Sequence, residues 1–147
     1  MTPAERLKAA RRVFLDTAPV IYYVEANPRY VGRVQECFDR LDGGTLTAVV
    51  SPITLAECLV LPYKQKETDI AQLFTDLLVN SESVLFYPID ETTADKAADL
   101  RARYNLTLTD AFQIAVAIQA DCDSFLTNDS DLKRVSEISI LLLSEVE

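Results

Sequence analysis

Short apolar runs alternate along this chain with segments in which apolar residues recur at helical spacing. The apolar runs lie at residues 13–15, 46–50, 84–89, 124–127 and 138–143. The helical segments lie at about 19–25, 30–42, 66–80, 91–104 and 131–135, and two more helices begin at Ser51-Pro52 and at Thr109-Asp110. Strands that alternate with helices are typical of a parallel sheet covered by helices. The pattern therefore predicts an α/β fold that forms one unit from end to end.

Turn and capping residues mark the ends of several predicted helices. Gly43-Gly44 stops the helix at 30–42, and Ser51 is a suitable N-cap for a helix with Pro52 in its first position. Pro19 suits the first turn of its helix, with Thr17 as a possible cap. The helix after Thr109 is apolar nearly all round, and this indicates burial.

Four carboxylates follow or open the segments that the pattern places at junctions between strands and helices. They are Asp16, Glu57, Asp110 and Asp129. In a parallel sheet such junctions converge outside the carboxyl ends of the strands, where ligands and metal ions bind. Each residue alone also has a structural explanation, as a turn residue, an acid in the first turn of a helix or an exposed helical residue. Together the four favour a shared acidic site.

Carboxylates that share a site repel one another. Two of them about 4 Å apart repel by roughly 4 kcal/mol at an effective dielectric constant of 20. Protonation or a bound cation must then relieve the repulsion. With no thiol or imidazole nearby in the sequence, the oxygen ligands favour Mg²⁺ or Mn²⁺ over zinc. Because such an ion can activate water, we expect hydrolysis of a phosphodiester.

Composition excludes several other kinds of chemistry. The 147 residues contain no histidine, which excludes Ser-His-Asp and Cys-His catalysis and histidine-ligated zinc. The formal net charge of -9 argues against nucleic-acid binding unless a divalent cation supplies positive charge locally. The three cysteines, Cys37, Cys58 and Cys122, are widely spaced and are expected to be reduced thiols of a cytosolic protein. Neither a signal sequence nor a membrane span is expected.

The residues around the four carboxylates resemble those of PIN domains. The similar segments are FLDTAPVIYY (14–23), SPITLAE (51–57), LTDA (108–111) with its Ala-rich helix, and LTNDSDL (126–132). Each motif alone is weak, but all four occur in the order and spacing of the family, over about residues 13–143. The resemblance implies a three-layer α/β/α sandwich with a central parallel sheet of four to five strands, and a single PIN-like domain over 1–147.

The resemblance also implies an activity, that of a Mg²⁺- or Mn²⁺-dependent endoribonuclease like the VapC-type toxins of bacterial and archaeal toxin-antitoxin pairs. By motif position, Asp16 and Asp110 would be the principal metal ligands. Glu57 and Asp129 would complete the acidic site, directly or through metal-bound water. Thr127 matches a hydroxyl that supports the site in the family.

Several further residues are candidates for supporting roles. Thr17 and Asn128 are expected to orient the carboxylates, and Asp131 is either a fifth carboxylate or the N-cap of a helix. Basic residues that could contact phosphate, or could equally be solvated surface, are Arg29, Arg33, Lys64, Lys66, Arg101, Arg103, Lys133 and Arg134. Tyrosines that could stack on RNA bases or pack in the core are Tyr22, Tyr23, Tyr30 and Tyr63.

The expected partners are an RNA substrate, a cognate antitoxin and a second copy of the chain in a cytoplasmic homodimer. Candidate self-association surfaces are the helix at 52–61 and the residues Leu73, Phe74, Leu77 and Leu78. One alternative is a non-catalytic PIN-like module that binds RNA or protein. Another is a phosphotransfer domain of the haloacid dehalogenase or receiver type, but the first of these requires an Asp where this chain has Ala18.

Overall fold

The computed structural model describes residues 1–146, which form a five-stranded sheet with helices on both faces. The strands are β1 (Arg12–Leu15), β2 (Thr47–Val50), β3 (Val84–Phe86), β4 (Ser124–Thr127) and β5 (Ser139–Leu142). The helices are α1 (Pro3–Ala9), α2 (Thr17–Val24), α3 (Val31–Asp42), α4 (Pro52–Lys64), α5 (Thr68–Val79), α6 (Glu91–Tyr104) and α7 (Leu108–Gln119). Two short 3-10 helices cover Ser130–Arg134 and Leu143–Glu145.

All four strand pairings are parallel, in the order β3-β2-β1-β4-β5. The first strand of the chain is therefore the central strand of the sheet. From β1 the chain adds β2 and β3 on one side and later adds β4 and β5 on the other side. Ligands of open α/β sheets bind at the carboxyl end of the strands at such a switch point. Asp16, the residue after β1, lies at this position.

Side chains alternate between the two faces of the sheet and enter two separate cores. Val13 and Leu15 pack with residues of α1 to α5, whereas Phe14 packs with residues of α6 and α7. The ring of Phe14 stacks on Phe125 of the neighbouring strand, with centroids 5.0 Å apart. Helices thus cover both faces, and the predicted three-layer α/β/α sandwich with a parallel sheet is confirmed.

Element boundaries differ from the predicted ones where capping or proline acts locally. Helix α2 begins at Thr17 rather than Pro19, because the carboxylate of Asp16 accepts the backbone N–H of Thr17 and caps the helix. Strand β3 ends at Phe86, short of the predicted 89, since Tyr87 gives the last backbone bond to β2 and Pro88 has no N–H to donate. The predicted end of α6 is correct, because Asn105 adopts the left-handed conformation (φ 54°) of a C-cap.

Cys37 and Cys58 are buried, Cys122 is half-buried, and all three are free thiols. Within residues 1–146 no helix has the length and apolar character needed to cross a bilayer.

Candidate functional site

Asp16 links the end of the central strand to the first turn of α2. Its Oδ1 accepts the backbone N–H of Thr17 at 2.9 Å, and its Oδ2 accepts the hydroxyl of Thr127 at 2.7 Å. Thr127 is the last residue of β4, which pairs directly with β1. Two neighbouring strand ends therefore fix both oxygens of this carboxylate.

The environment of Asp16 makes its ionisation costly. The pKa of Asp16 is raised from 3.8 to about 6, mainly by burial and to a smaller extent by the charges of Asp110 and Glu57. The hydrogen bonds from Thr127 and from the backbone of Thr17 oppose this rise in pKa. A carboxylate whose pKa is raised by burial and by neighbouring carboxylates is typical of a functional site.

Glu57 reaches the same place from α4. Its Oε1 accepts the hydroxyl of Thr17 at 2.7 Å, so Thr17 contacts Asp16 through its backbone and Glu57 through its side chain. Thr17 therefore hydrogen-bonds to two of the four predicted carboxylates.

Asp110 lies in the first turn of α7, where the Thr107 hydroxyl caps the helix by accepting the backbone N–H of Asp110 at 3.2 Å. Burial raises the pKa of Asp110, and the nearby charges of Asp129, Glu57 and Asp131 raise it as well. The predicted helix start at Thr109 is therefore one residue late, since α7 begins at Leu108 and Thr107 is its N-cap.

The turn after β4 supplies the remaining acids. Asp129 donates its backbone N–H to the hydroxyl of Thr127 at 3.1 Å and caps the following 3-10 helix by accepting the N–H of Asp131 at 2.9 Å. The suggestion that Asp131 is the N-cap is wrong, because Asp129 fills that position. The charge of Asp131 is close enough to Asp110 to raise its pKa. The side-chain nitrogen of Asn128 donates to the hydroxyl of Tyr22 at 3.3 Å.

The sheet thus brings the predicted carboxylates into one electrostatic group at its carboxyl edge. Within residues 1–146, however, no group of three or more acidic or cysteine side chains is placed so that it could hold a metal ion. Mg²⁺ commonly binds through only one or two carboxylates and keeps several waters. The all-oxygen donors and their mutual repulsion therefore fit a hydrated hard cation.

Comparison with known families assigns the fold around this site. The model of the PIN domain family matches residues 13–138. The chain belongs to the PIN domain family. Its PIN match covers all four motifs that suggested the resemblance, and it leaves no support for the phosphotransfer alternatives. No curated protein matches the sequence.

Solved structures of other PIN proteins have the same fold at low sequence identity. VapBC2 from Rickettsia felis, bound to a promoter DNA fragment, is 18% identical with a TM-score of 0.68, over 88% of this chain and 96% of that one. VapC20 from Mycobacterium tuberculosis, a toxin that cleaves the sarcin-ricin loop, is 17% identical with a TM-score of 0.67, over 83% and 93%. A toxin-antitoxin complex from Klebsiella pneumoniae is 18% identical with a TM-score of 0.66, over 91% and 99%.

A buried polar group beneath the acidic edge of this PIN domain was missed from the sequence. The side-chain oxygen of Gln113 accepts the hydroxyl of Ser51, and its nitrogen donates to the hydroxyl of Thr54 at 2.8 Å. All three residues are buried. The group joins α7 to α4, with Gln113 three residues after Asp110 and Thr54 three residues before Glu57. The sequence feature that could have indicated this buried group is that Gln113 is the one polar residue in the apolar run 111–118.

Proposed function

We propose that this PIN domain, occupying residues 1–147, is a metal-dependent endoribonuclease and the toxin of a toxin-antitoxin pair. The observation that supports the proposal most strongly is the convergence of Asp16, Glu57 and Asp110, remote in sequence, at the switch point of the sheet. Their mutual repulsion is the expected cost of a site that is stable when a cation is bound.

The metal in this proposal is Mg²⁺ or Mn²⁺. Asp16 and Asp110 are its principal ligands, and Glu57 and Asp129 complete the acidic site directly or through water. When bound, the ion would lower the pKa of a water molecule and neutralise charge on the phosphodiester. No covalent intermediate with the protein is required.

The threonines of the chain orient the proposed ligands. The Thr127 hydroxyl holds Asp16 and the backbone of Asp129, and the Thr17 hydroxyl holds Glu57. Partners of this kind fix the direction of ligand oxygens, and losing one commonly costs about 10- to 100-fold in metal affinity or activity. Asn128 acts further away, by fixing Tyr22 beside the turn.

A cleavage assay with end-labelled single-stranded RNA tests the proposal. We expect cleavage with Mg²⁺, none with EDTA, and a loss of at least about 100-fold in Asp16→Asn and Asp110→Asn, which remove direct ligands. Asp121→Asn is the matched control. It makes the same chemical change at the amino end of β4, where Asp121 has φ 57°, a conformation that Asn tolerates. Full activity in the two site variants would refute the assigned roles.

A second candidate is a non-catalytic PIN-like module that binds RNA or a protein partner. The net charge of -9 favours this candidate for a protein partner, since negative charge opposes RNA binding. This candidate predicts that no cleavage depends on the carboxylates. It also predicts little stabilisation by Mn²⁺ in a thermal melt, because the acidic group would have no role in holding an ion. The two measurements together separate it from the nuclease.

The proposed partners are a cognate antitoxin and a second copy of the chain, in the cytoplasm. Leu73 is exposed on α5, and Val60, Leu61 and Tyr63 are exposed on α4. These residues are candidates for a homodimer surface. Phe74 and Leu78, which the sequence predicts to be part of it, are buried in the core and cannot contact a second copy. Light scattering at micromolar concentration checks the dimer, and co-purification with the product of the adjacent reading frame checks the antitoxin.

A further inference from the structure

A series of contacts leads from the turn beside the acidic site to an exposed cation. Asn128, next to Asp129, donates to the hydroxyl of Tyr22 at 3.3 Å. The ring of Tyr22 stacks on Tyr30, with centroids 5.0 Å apart and an interplanar angle of 17°. The guanidinium carbon of Arg29 lies 5.3 Å from the centre of the Tyr30 ring. Arg29 is therefore positioned relative to the site by a rigid aromatic pair.

The backbone that carries Arg29 is fixed by Asn27. The side-chain oxygen of Asn27 accepts the N–H groups of Arg29 at 2.9 Å and Tyr30 at 3.2 Å. Its carbonyl oxygen accepts the N–H of Val31 at 2.8 Å, at the start of α3. Since the turn and the stacked ring both restrain Arg29, holding its guanidinium in place costs less conformational entropy than it would on a free loop.

Arg29 differs from the second arginine on the same ring. Arg33 lies 5.8 Å from the centre of Tyr30, but it is half-buried and donates to the carbonyl oxygen of Leu143, which ties it to the fold. Arg29 is exposed, and among residues 1–146 no ion pair or side-chain hydrogen bond engages its guanidinium. Its donors are therefore available to an external anion.

We propose that Arg29 contacts a backbone phosphate of the single-stranded RNA that enters the acidic site. The inference rests on the proposed function and names one of the residues that would hold its substrate. An acidic chain that binds RNA needs positive charge along the path of the strand, and Arg29 supplies it at the end of the series of contacts that starts at Asn128. The planar guanidinium matches the geometry of a phosphate group. Arg29 contacts the backbone and not the bases, so its contribution is the same for different RNA sequences.

Fluorescence anisotropy with labelled single-stranded RNA tests this contact. Every sample, the parent included, carries Asp110→Asn to suppress cleavage, so the Arg29 variants are compared on the same metal-depleted site. We expect Arg29→Ala to raise the Kd about 5- to 10-fold for RNAs of different sequence, as loss of one phosphate contact should. The slope of log K against log salt should become shallower by about 0.7, the value for one phosphate on a single strand. Arg29→Lys keeps the charge and should keep most of the slope.

Arg11→Ala is the matched control, because Arg11 is exposed and precedes β1 at the opposite edge of the sheet. It removes the same charge far from Asp16, and its Kd should change less than about twofold, since separated surface charges are screened within about 10 Å at 0.1 M salt. An equal loss in Arg11→Ala and Arg29→Ala would overturn the inference, because net charge alone would then explain both.

RNA cleavage is measured in parallel with proteins that keep Asp110. This second measurement tests the proposed nuclease activity separately from the contact of Arg29 with phosphate. RNA cleavage with a normal Kd in Arg29→Ala would refute the phosphate contact alone. RNA binding that depends on Arg29 without any cleavage would refute the nuclease and retain the contact. If Arg29→Ala instead weakens only binding of an acidic peptide, the cation serves a protein partner and the inference is wrong.

Discussion

The hydroxyl of Thr127 lies 2.7 Å from Oδ2 of Asp16 and donates to it, although 111 residues separate the two in the chain. The same hydroxyl accepts the backbone N–H of Asp129 at 3.1 Å. One oxygen atom therefore fixes the connections that leave two neighbouring strands. Because the bond to Asp16 favours the ionised carboxylate, it opposes the rise in pKa caused by burial.

Replacing Thr127 by Val should raise the pKa of Asp16 above its present value of about 6. Fewer molecules would then carry the ionised ligand near neutral pH, so cleavage of RNA should fall there and recover as the pH rises. The measurement is the pH dependence of kcat/KM. Thr127→Ser keeps the hydroxyl and should restore the original profile. An unchanged profile in Thr127→Val would show that the hydrogen bond has no effect on ionisation.

Stability of the metal-free protein should fall as pH rises through the titration of Asp16. Its pKa is 3.8 in the unfolded reference and about 6 in the folded protein, so the folded state binds the proton more tightly. The resulting contribution to stability is complete below about pH 4 and is lost as pH rises through about 6. The loss is at most about 3 kcal/mol.

Asp16→Asn removes this titration. In EDTA, the variant should gain stability relative to the parent between about pH 4 and 7, because its side chain carries no charge at any pH in that interval. Urea denaturation at a series of pH values measures the difference. Parallel curves for the two proteins over this range would contradict the raised pKa.

Gln113→Leu should lower the free energy of unfolding by about 2 to 3 kcal/mol. The substitution leaves the buried hydroxyls of Ser51 and Thr54 without their partner on α7, and an unsatisfied buried polar group costs about 1 to 3 kcal/mol. Urea denaturation measures the change. Gln35→Leu is the control, because Gln35 is exposed and bonds only to Asp39 on its own helix among the contacts of the described residues. Equal effects in the two variants would contradict the structural role.

Mn²⁺ should raise the melting temperature of the protein. Binding at 100 times Kd contributes about 2.7 kcal/mol, and for a chain of this size that corresponds to roughly 5 to 10 °C. The shift should disappear in Asp110→Asn, which removes a principal ligand, and should persist in Asp121→Asn. Differential scanning calorimetry with and without the ion measures it. Equal shifts in both variants would place the ion elsewhere.

The sequence predicts part of the site correctly, because some of the carboxylates stand directly after predicted strands. Asp16 and Asp129 each follow a strand, so the parallel topology alone predicts that they converge. Asp110 instead lies in the first turn of α7, which follows helix α6 and not a strand, so the predicted strand–helix junction at this residue is wrong. The shared electrostatics of Asp16, Glu57 and Asp110 agree with that prediction. Their roles as metal ligands stay a prediction, since closeness among carboxylates does not by itself identify what they bind.

Other features could not be predicted because they depend on contacts between distant elements. A single Gln in an apolar helix does not reveal its partners, and Gln113 finds them 59 and 62 residues away on α4. Arg29 was one of eight equivalent basic candidates until the stacking of Tyr22 on Tyr30 distinguished it. The hydrophobic pattern locates the end of a helix only to within one or two residues, so it could not decide between Asp129 and Asp131 as the N-cap.

Because β1 is the central strand, the acidic site can form only after later strands have been synthesised. Its neighbours, β2 and β4, come from opposite ends of the remaining sequence, and Asp16 receives its second hydrogen bond only from the later of them. During synthesis, a nascent polypeptide that has emerged only through α6 still lacks Asp110, Thr127 and Asp129. Such an intermediate cannot yet assemble the acidic edge, so the four carboxylates can come together only after β4 and the turn that follows it have been synthesised.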